Sequence, residues 1–235
     1  LYSAFTAFLG FHVNDGEYKV MGMAPYGEPT YVDEVRKLIS INDDGSFALN
    51  MDYFAYHHSA SRSFNGKFID LFGEPRMHSD DFFTAKSAPH RAGETEAVRR
   101  NQHYADIARS IQQVTEEALL AMANALQRKT GAKKLVMAGG VALNSVANFR
   151  LFSETPFEDV YIQPAAGDDG GALGAALWAY HLVLGQPRKL VMTDTYLGQQ
   201  FTNAETRAFF DAEGIPYEEY AFFVFLGESS AANWT

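Results

Sequence analysis

The clearest hydrophobic pattern in the chain spans residues 102–130, where apolar side chains recur at intervals of three and four. This spacing predicts a long amphipathic helix with one buried face. The residues on that face are Ile107, Ile111, Val114, Ala118, Ala121 and Ala125. Gly131 follows the last periodic residue and is a typical stop signal for a helix.

Shorter patterns predict the elements that come before this helix. Residues 1–11 are apolar and aromatic and predict a helix that enters a core. Residues 30–39 predict a short amphipathic helix whose buried face holds Val32, Val35, Leu38 and Ile39. Between these two, residues 14–29 carry several Gly and Pro residues and predict a turn-rich loop.

The next part of the chain is less regular. Asp44-Gly45 separates two strand-like runs and predicts a hairpin over residues 41–56. Residues 57–100 are polar and predict an irregular segment with several short helical turns. A long loop of this kind in a compact domain is often functional, although it can equally cover a neighbouring domain.

Two strand–turn–helix units follow the long helix, and each turn is rich in glycine. The segments are 133–138, 139–140 and 143–153 in the first unit and 159–163, 164–171 and 172–184 in the second. Such a succession indicates an α/β fold with parallel strand pairing. Ligands of these folds bind beyond the carboxyl ends of the strands, which is where both turns must lie.

A second unit is expected after residue 186. Residues 185–189 have the composition of a linker, and Thr202 or Asn203 can cap a helix over 204–212. We therefore divide the chain into 1–186 and 187–235. The chain starts at Leu1 within a helical pattern, and its tail after Tyr220 breaks the preceding pattern, so we expect a fragment of a longer protein.

Composition narrows the class of protein. The chain has 235 residues, 47% of them apolar and 20% charged, as in ordinary globular proteins. It contains no Cys, which excludes thiolate chemistry, and its net charge of −10 argues against a nucleic-acid partner. No apolar run approaches the roughly 18 residues of a membrane span, and we expect a cytoplasmic protein without a membrane partner.

The turn at Gly139-Gly140 is the first candidate for chemistry. Glycine lets a ligand approach the backbone, and the start of the following helix offers N–H groups and a positive dipole end, which suit a phosphate. Asn144 adds an amide that both donates and accepts, as a ribose or a base requires. Tight packing of the helix on the strand explains the two glycines equally well.

Carboxylates mark two further candidates. Asp168 and Asp169 lie between glycines at the end of the second strand, where they can bind a cation or cap the next helix. Glu17 and Lys19 flank an aromatic residue in the predicted loop, and they suit a proton transfer, a ribose hydroxyl or a phosphate. A solvated pair of charges is the simpler explanation for Glu17 and Lys19.

The histidines and serines offer less. The adjacent His57 and His58 are expected to point in different directions, and His103 is expected to be structural. Neither His-x3-His nor His-Glu-x2-His occurs, so the chain has no self-contained metal motif. Gly-x-Ser-x-Gly is also absent.

Three phrases of the sequence combine in a recognisable order: GEYKVMGMAPYGEP, MAGGVALNSVAN and IQPAAGDDGGALGAAL. Together they resemble the O-carbamoyltransferase family, which includes nodulation and antibiotic-tailoring carbamoyltransferases. YLGQQFTNAET resembles the start of that family's second domain. The resemblance covers most of residues 1–220.

The resemblance implies a fold and a reaction. The main domain of the family is similar to the tRNA threonylcarbamoyl-adenosine transferase, so we expect an incomplete actin/sugar-kinase-like (Kae1-like) α/β lobe over 1–186 and the beginning of a YrdC-like domain over 187–235. The implied reaction takes carbamoyl phosphate and ATP to carbamoyl adenylate. The carbamoyl group then passes to a hydroxyl of a sugar or another small acceptor, whose identity the sequence leaves open.

The resemblance also implies roles for residues. Gly139, Gly140, Asn144 and Gly170 would bind the nucleotide, and Asp168 would bind a divalent metal, expected to be iron. Glu17 and Lys19 would be catalytic. The two metal-binding histidines of the family have no counterpart here, so we expect the chain alone to be inactive or nearly so. The alternatives are a sugar or acetate kinase of the same fold and a nucleotide-binding module that has lost its chemistry.

Overall fold

A computed structural model describes residues 1–189, 191–192, 195 and 198–218 of the chain. The atypical tail after Tyr220 lies outside the described residues. Two compact units are present, Leu1–Pro187 and Arg188–Thr235. The structure is mixed α/β, in agreement with the α/β class predicted from the sequence.

The first helix, α1 (Tyr2–Phe8), enters the core as its apolar composition predicts. Phe5 and Phe8 are fully buried against α4 (Gly66–Phe72), and the Phe5 ring lies 5.0 Å from that of Phe68. Such edge-to-face aromatic pairs stabilise a core beyond the area they bury. The polar segment 57–100 therefore contributes the helix α4 to the core. The rest of the segment consists of loops, a single turn of 3₁₀ helix at Pro89–Arg91 and, from Thr95, the start of the long helix described below.

The predicted loop over residues 14–29 is wrong in its centre, because Glu17–Met23 form a helix, α2, followed by a 3₁₀ turn at Ala24–Tyr26. Val20 and Met23 of α2 are buried, and this packing outweighs the low helix propensity of Gly22. Gly27 then allows a close approach to the long helix, since a Cβ there would lie 2.0 Å from the carbonyl oxygen of Ala105.

The helix predicted over residues 30–39 is shorter than expected. It spans Val32–Arg36 (α3), and Ile39 instead begins strand β1 (Ile39–Ile41). This strand pairs antiparallel with β2 (Phe47–Leu49), which confirms a hairpin around Asp44-Gly45, although it spans residues 39–49 and not the predicted 41–56. A 3₁₀ turn at Met51–Tyr53 follows.

The long helix α5 (Thr95–Thr130) organises the whole first unit. It begins seven residues earlier than the pattern predicts, and Gly131 ends it in the left-handed conformation, with φ of 65°. Ile107, Ile111 and Val114 are fully buried, as their spacing predicts. Helices α1, α2, α3 and α6 all contact α5.

The two strand–turn–helix units are confirmed. Strand β3 (Lys134–Met137) leads through a 3₁₀ turn (Gly140–Leu143) to α6 (Ser145–Glu154), and β4 (Asp159–Ile162) leads to α7 (Gly170–Trp178), which continues as a π-helical turn at Ala179–Val183. The strands are parallel, with Leu135 opposite Val160. Both glycine turns therefore follow the carboxyl ends of neighbouring parallel strands.

The second unit is described up to residue 218, apart from residues 190, 193, 194, 196 and 197. Its helix α8 (Asn203–Glu213) begins with a capping box, in which Thr202 accepts from the Glu205 N–H and Glu205 accepts from the Thr202 N–H. This reciprocal pair confirms the capped helix predicted there. Gly214 ends α8 in the left-handed conformation.

Candidate functional site

A cleft of about 460 Å³ opens where the two glycine turns meet helices α1 and α2. It brings together Glu17, Gly140, Asn144 and Asp168, which are four of the seven residues predicted for the site. These four come from three distant parts of the sequence, and parallel pairing of β3 and β4 is what places the last three at one edge. The remaining lining residues are Tyr2, Ser3, Asn14, Asp15, Tyr18, Met21, Val141, Leu143, Gly167 and Asp169.

The first glycine turn is built by backbone geometry and not by tight packing. Gly139 has φ of 104°, which a residue with a Cβ rarely adopts. Its N–H donates to the Ala166 carbonyl at 2.7 Å and so ties the two turns together. A Cβ on Gly139 or Gly140 would meet no atom within 4 Å. Packing therefore does not explain Gly140, and the open space beside it is available to a ligand.

Gly170 differs from the glycines of the first turn. It does not line the cleft, and a Cβ there would lie 2.1 Å from the carbonyl oxygen of Ala165. Close packing of the second turn on the start of α7 thus accounts for Gly170. The contact of Gly170 with a nucleotide stays a prediction, and the geometry of the cleft does not support it.

Asn144 is the most constrained residue of the cleft and is only 8% exposed. It is the N-cap of α6, since its Oδ1 accepts from the Ala147 N–H at 3.0 Å. The same oxygen accepts from Gln112 Nε2 at 3.0 Å, while Asn144 Nδ2 donates to Gln112 Oε1 at 2.9 Å. Both lone pairs of Oδ1 are therefore used, and one N–H of the amide remains. The predicted donor-and-acceptor role is reduced to that of a donor.

A buried polar network lies behind Asn144. Gln112 is 1% exposed, accepts from the Tyr2 hydroxyl at 2.9 Å and donates to Glu116 at 2.8 Å. Glu116 is itself buried and pairs with Arg150 at 2.9 Å. Burial, together with the carboxylates of Glu116 and Glu17, raises the pKa of the Tyr2 hydroxyl, so this hydroxyl remains a donor at neutral pH.

Sequence reasoning missed Tyr2 and Gln112. A signal was present for Gln112, since it and Glu116 are one turn apart beside the apolar positions of a helix that is otherwise expected to be buried. Their partners could not be read from the sequence, because Gln112 meets Asn144 across 32 residues and Tyr2 across 110 residues.

The second turn presents Asp168 and Asp169 to the cleft, and both are exposed. Asp169 holds the N-cap position of α7, but its side chain makes no capping hydrogen bond, so capping does not account for it. Within the described part of the chain, no three His, Asp or Glu residues are grouped closely enough to hold a metal ion. Asp168 can supply one carboxylate ligand, and other ligands would have to complete a site.

Glu17 and Lys19 lie on different sides of α2, because residues two apart on a helix do not share a face. Glu17 lines the cleft and accepts from the Asn14 N–H at 3.1 Å. Lys19 does not line the cleft, and its Nζ lies 5.9 Å from the Phe11 ring and 5.6 Å from the Tyr18 ring. The loop predicted to carry both residues is in fact a helix, and their catalytic roles stay a prediction.

The described lining of the cleft is acidic. It includes Asp15, Glu17, Asp168 and Asp169 and contains neither Lys nor Arg. A phosphate in this cleft would need neutral donors, such as the Asn144 amide, and a cation to balance the carboxylates. The cleft therefore suits a ligand that brings a cation with it.

The histidines lie elsewhere. His57 and His58 do not point apart as expected, since their rings contact each other and His58 Nδ1 lies 3.0 Å from His57 Nε2. His103 belongs to α5 and bridges the Tyr31 hydroxyl at 2.8 Å and the Phe72 carbonyl at 2.9 Å. These contacts support the structural role expected for His103.

The structure is that of a mixed α/β protein with a cleft at the carboxyl ends of parallel strands, where proteins of this class generally bind their ligands. Comparison with known proteins gives the family. The model of the family described as "Carbamoyltransferase N-terminus" matches residues 1–177. The chain belongs to this family, and the matched region contains every residue predicted for the site.

Individual relatives agree with this assignment. An uncharacterized protein of Synechocystis is 44% identical over 94% of this chain and 34% of its own length. Nodulation protein NolNO of Sinorhizobium fredii is 31% identical over 75% of this chain and 22% of its own length. Nodulation protein NolO of Bradyrhizobium diazoefficiens is 29% identical over 80% of this chain and 29% of its own length. The chain thus spans about a third or less of these relatives.

Proposed function

We propose that the chain is the nucleotide-binding part of an ATP-dependent O-carbamoyltransferase. One observation carries the proposal: the cleft gathers Glu17, Gly140, Asn144 and Asp168 within the region that matches the carbamoyltransferase family. The proposed fold is an incomplete actin/sugar-kinase-like lobe, followed by the start of a YrdC-like domain. In the whole protein, the YrdC-like domain makes carbamoyl adenylate from ATP and carbamoyl phosphate, and the lobe transfers the carbamoyl group.

The proposed transfer step is an acyl substitution. The hydroxyl oxygen of the acceptor forms a bond to the carbamoyl carbon, and the bond from that carbon to the phosphate oxygen of the adenylate breaks. AMP leaves with the electron pair, and the hydroxyl proton passes to a base. Glu17 lines the cleft and is the proposed base, since a carboxylate can accept this proton within hydrogen-bond reach.

Two residues of the first turn hold the nucleotide in this proposal. The space beside Gly140 lets a phosphate approach the backbone, and Asn144 donates its remaining N–H to a phosphate oxygen. Lys19, which lies outside the cleft, is not assigned to the reacting atoms.

Asp168 would hold the divalent metal together with ligands beyond the described residues, since these contribute too few ligands for a complete site. When bound, the metal would balance phosphate charge and polarise an oxygen. The metal site would therefore be completed only in the whole protein. No reaction step that we assign to this chain depends on the metal.

Calorimetry on this chain tests the proposal. We expect saturable binding of ATP in the presence of Mg²⁺ and little or no carbamoyl transfer from carbamoyl phosphate by the chain alone. Absence of ATP binding would contradict the proposal. Phosphorylation of a sugar or of acetate would favour a kinase of the same fold. If a full-length relative binds ATP but transfers no carbamoyl group, the family member is a nucleotide-binding module that has lost its chemistry.

A further inference from the structure

The buried Gln112 amide is fully satisfied, and all of its partners are known. Its Oε1 accepts from Tyr2 at 2.9 Å and from Asn144 Nδ2 at 2.9 Å. Its Nε2 donates to Glu116 at 2.8 Å and to Asn144 Oδ1 at 3.0 Å. These four bonds use both lone pairs and both protons of a side-chain amide.

The orientation of this amide is fixed by charge. Glu116 is 2% exposed and pairs with Arg150, so it is an acceptor and the Nε2 end of Gln112 must face it. The Tyr2 hydroxyl donates to the opposite end. The Asn144 amide lies against Gln112 in a reciprocal pair and is fixed in turn, with its Oδ1 toward both the Ala147 N–H and Gln112.

We propose that Gln112 is a positioning residue, which orients the Asn144 amide so that Asn144 meets a ligand in the cleft only as a donor. The ligand atom beside Asn144 is then an acceptor, such as a phosphate oxygen. The carboxylates of Asp168 and Asp169 on the second turn differ from Asn144, because they can only accept hydrogen bonds from hydroxyl groups or bind a cation. The ligand therefore enters with its phosphate toward the first turn and its hydroxyl groups or cation toward the second.

This inference rests on the proposed nucleotide site, and the test separates the two. The test variant is Gln112→Met, which keeps the length of the side chain and removes all four hydrogen bonds. Gln113→Met is the matched control, since Gln113 is the next residue of α5 and donates to Glu117 at 3.0 Å, as Gln112 donates to Glu116. Gln113 does not line the cleft.

The first measurement is the ¹⁵N spectrum of side-chain amides, with the Asn144 signals assigned by their loss in Asn144→Ala. In the wild type, we expect the shifts of the two Nδ2 protons to differ from those of a solvated amide. The proton that is not bonded to Gln112 should shift further when ATP and Mg²⁺ are added, while the one bonded to Gln112 should not. In Gln112→Met, we expect both protons to move toward the values of a solvated amide. The control should keep the wild-type signals.

The second measurement is the affinity for ATP with Mg²⁺. We expect Gln112→Met to weaken it about tenfold, the loss of one well-oriented hydrogen bond to a charged group, and Gln113→Met to leave it within about twofold. Wild-type signals or wild-type affinity in Gln112→Met would overturn the inference. Should Gln112→Met fail to fold, Gln112→Asn draws the amide back from Asn144, keeps its polarity, and is expected to have the same two effects.

Failure of the proposed function has a different outcome. A wild-type chain that binds no ATP contradicts the nucleotide site. The orientation by Gln112 is then decided by the spectra of the free protein alone. Asn144 proton shifts that differ from those of a solvated amide in the wild type and return toward them in Gln112→Met support the orientation, and shifts that are unchanged in that variant refute it.

Discussion

At the scale of single residues, two glycines that occupy similar turns in the sequence have different surroundings in the structure. Gly140 borders open space, whereas a Cβ on Gly170 would collide with the Ala165 carbonyl. Asn144 likewise has two roles at once, because it caps α6 and lines the cleft. Any test of its ligand contact must therefore be corrected for the loss of a helix cap.

Asn144→Ala is expected to weaken the binding of ATP with Mg²⁺ about tenfold or more, since a hydrogen bond to a charged phosphate is lost. It should also destabilise the fold by about 2 kcal/mol or more, because the N-cap of α6 is removed and the buried Gln112 amide loses two hydrogen bonds. Isothermal calorimetry and urea unfolding measure the two effects separately.

The chain supplies a matched control for Asn144→Ala. Asn65 is the N-cap of α4, where its side chain accepts from the Lys67 N–H, and it does not line the cleft. Asn65→Ala should lower stability by about 1 kcal/mol, the cost of a cap alone, and leave ATP binding unchanged. Equal affinities of the two variants would show that Asn144 is only a cap.

At the scale of elements, α5 connects the cleft to a buried ion pair. The Glu116 carboxylate accepts a hydrogen bond from Gln112 and pairs with Arg150 of α6. The Arg109 guanidinium lies 3.7 Å from the same carboxylate. Arg150 also pairs with Glu154, and the two carboxylates raise the pKa of the Arg150 guanidinium. The contact of α5 with α6 thus depends on a carboxylate that is removed from water.

Glu116→Ala is expected to destabilise the protein by about 3 kcal/mol. This is the lower end for a broken buried ion pair, because Arg150 is partly exposed and keeps Glu154 as a partner. Glu117→Ala removes the same charge from the next residue and is expected to cost about 1 kcal/mol or less, since both members of its pair with Arg36 are partly exposed. Urea unfolding compares the two variants. A similar loss in both would mean that burial of Glu116 adds nothing.

The elements also show how far the sequence could predict this structure. The hydrophobic periodicity and the turn residues were sufficient to predict α5, the hairpin at Asp44-Gly45 and the two parallel strand–turn–helix units, since these signals are local. They failed for α2, because Gly22 and Pro25 are typical of turns and the burial of Val20 and Met23 depends on distant residues. For the same reason, a ligand site was predicted at the two glycine turns, but Tyr2 in the cleft and Gln112 behind it were missed.

At the scale of the whole molecule, one face of the β3–β4 sheet is uncovered within the described residues. Leu135 is buried, whereas its neighbour Val136 is 75% exposed. Parallel sheets are normally covered on both faces. The chain spans 22% to 34% of the length of the relatives described above. None of its helices in the described region is long and apolar enough to cross a membrane.

The net charge of −10 and the acidic cleft act together on any anionic ligand. Free ATP meets like charge both at a distance and within the cleft, and the described lining has no Lys or Arg to compensate. A divalent cation bound to the phosphates removes part of this repulsion and can contact Asp168. The cation that we propose for ATP binding would therefore offset the whole charge distribution and not the charge of one residue.

Removal of Mg²⁺ with EDTA is accordingly expected to weaken ATP binding more than tenfold, which corresponds to about 1.4 kcal/mol or more of lost binding free energy. Adenosine carries no phosphate, so its weaker binding should be unaffected by EDTA and serves as the control. Raising the salt concentration without Mg²⁺ should recover part of the ATP affinity, because screening reduces the repulsion between like charges. ATP affinity that is the same with and without Mg²⁺ would contradict this account of the cleft.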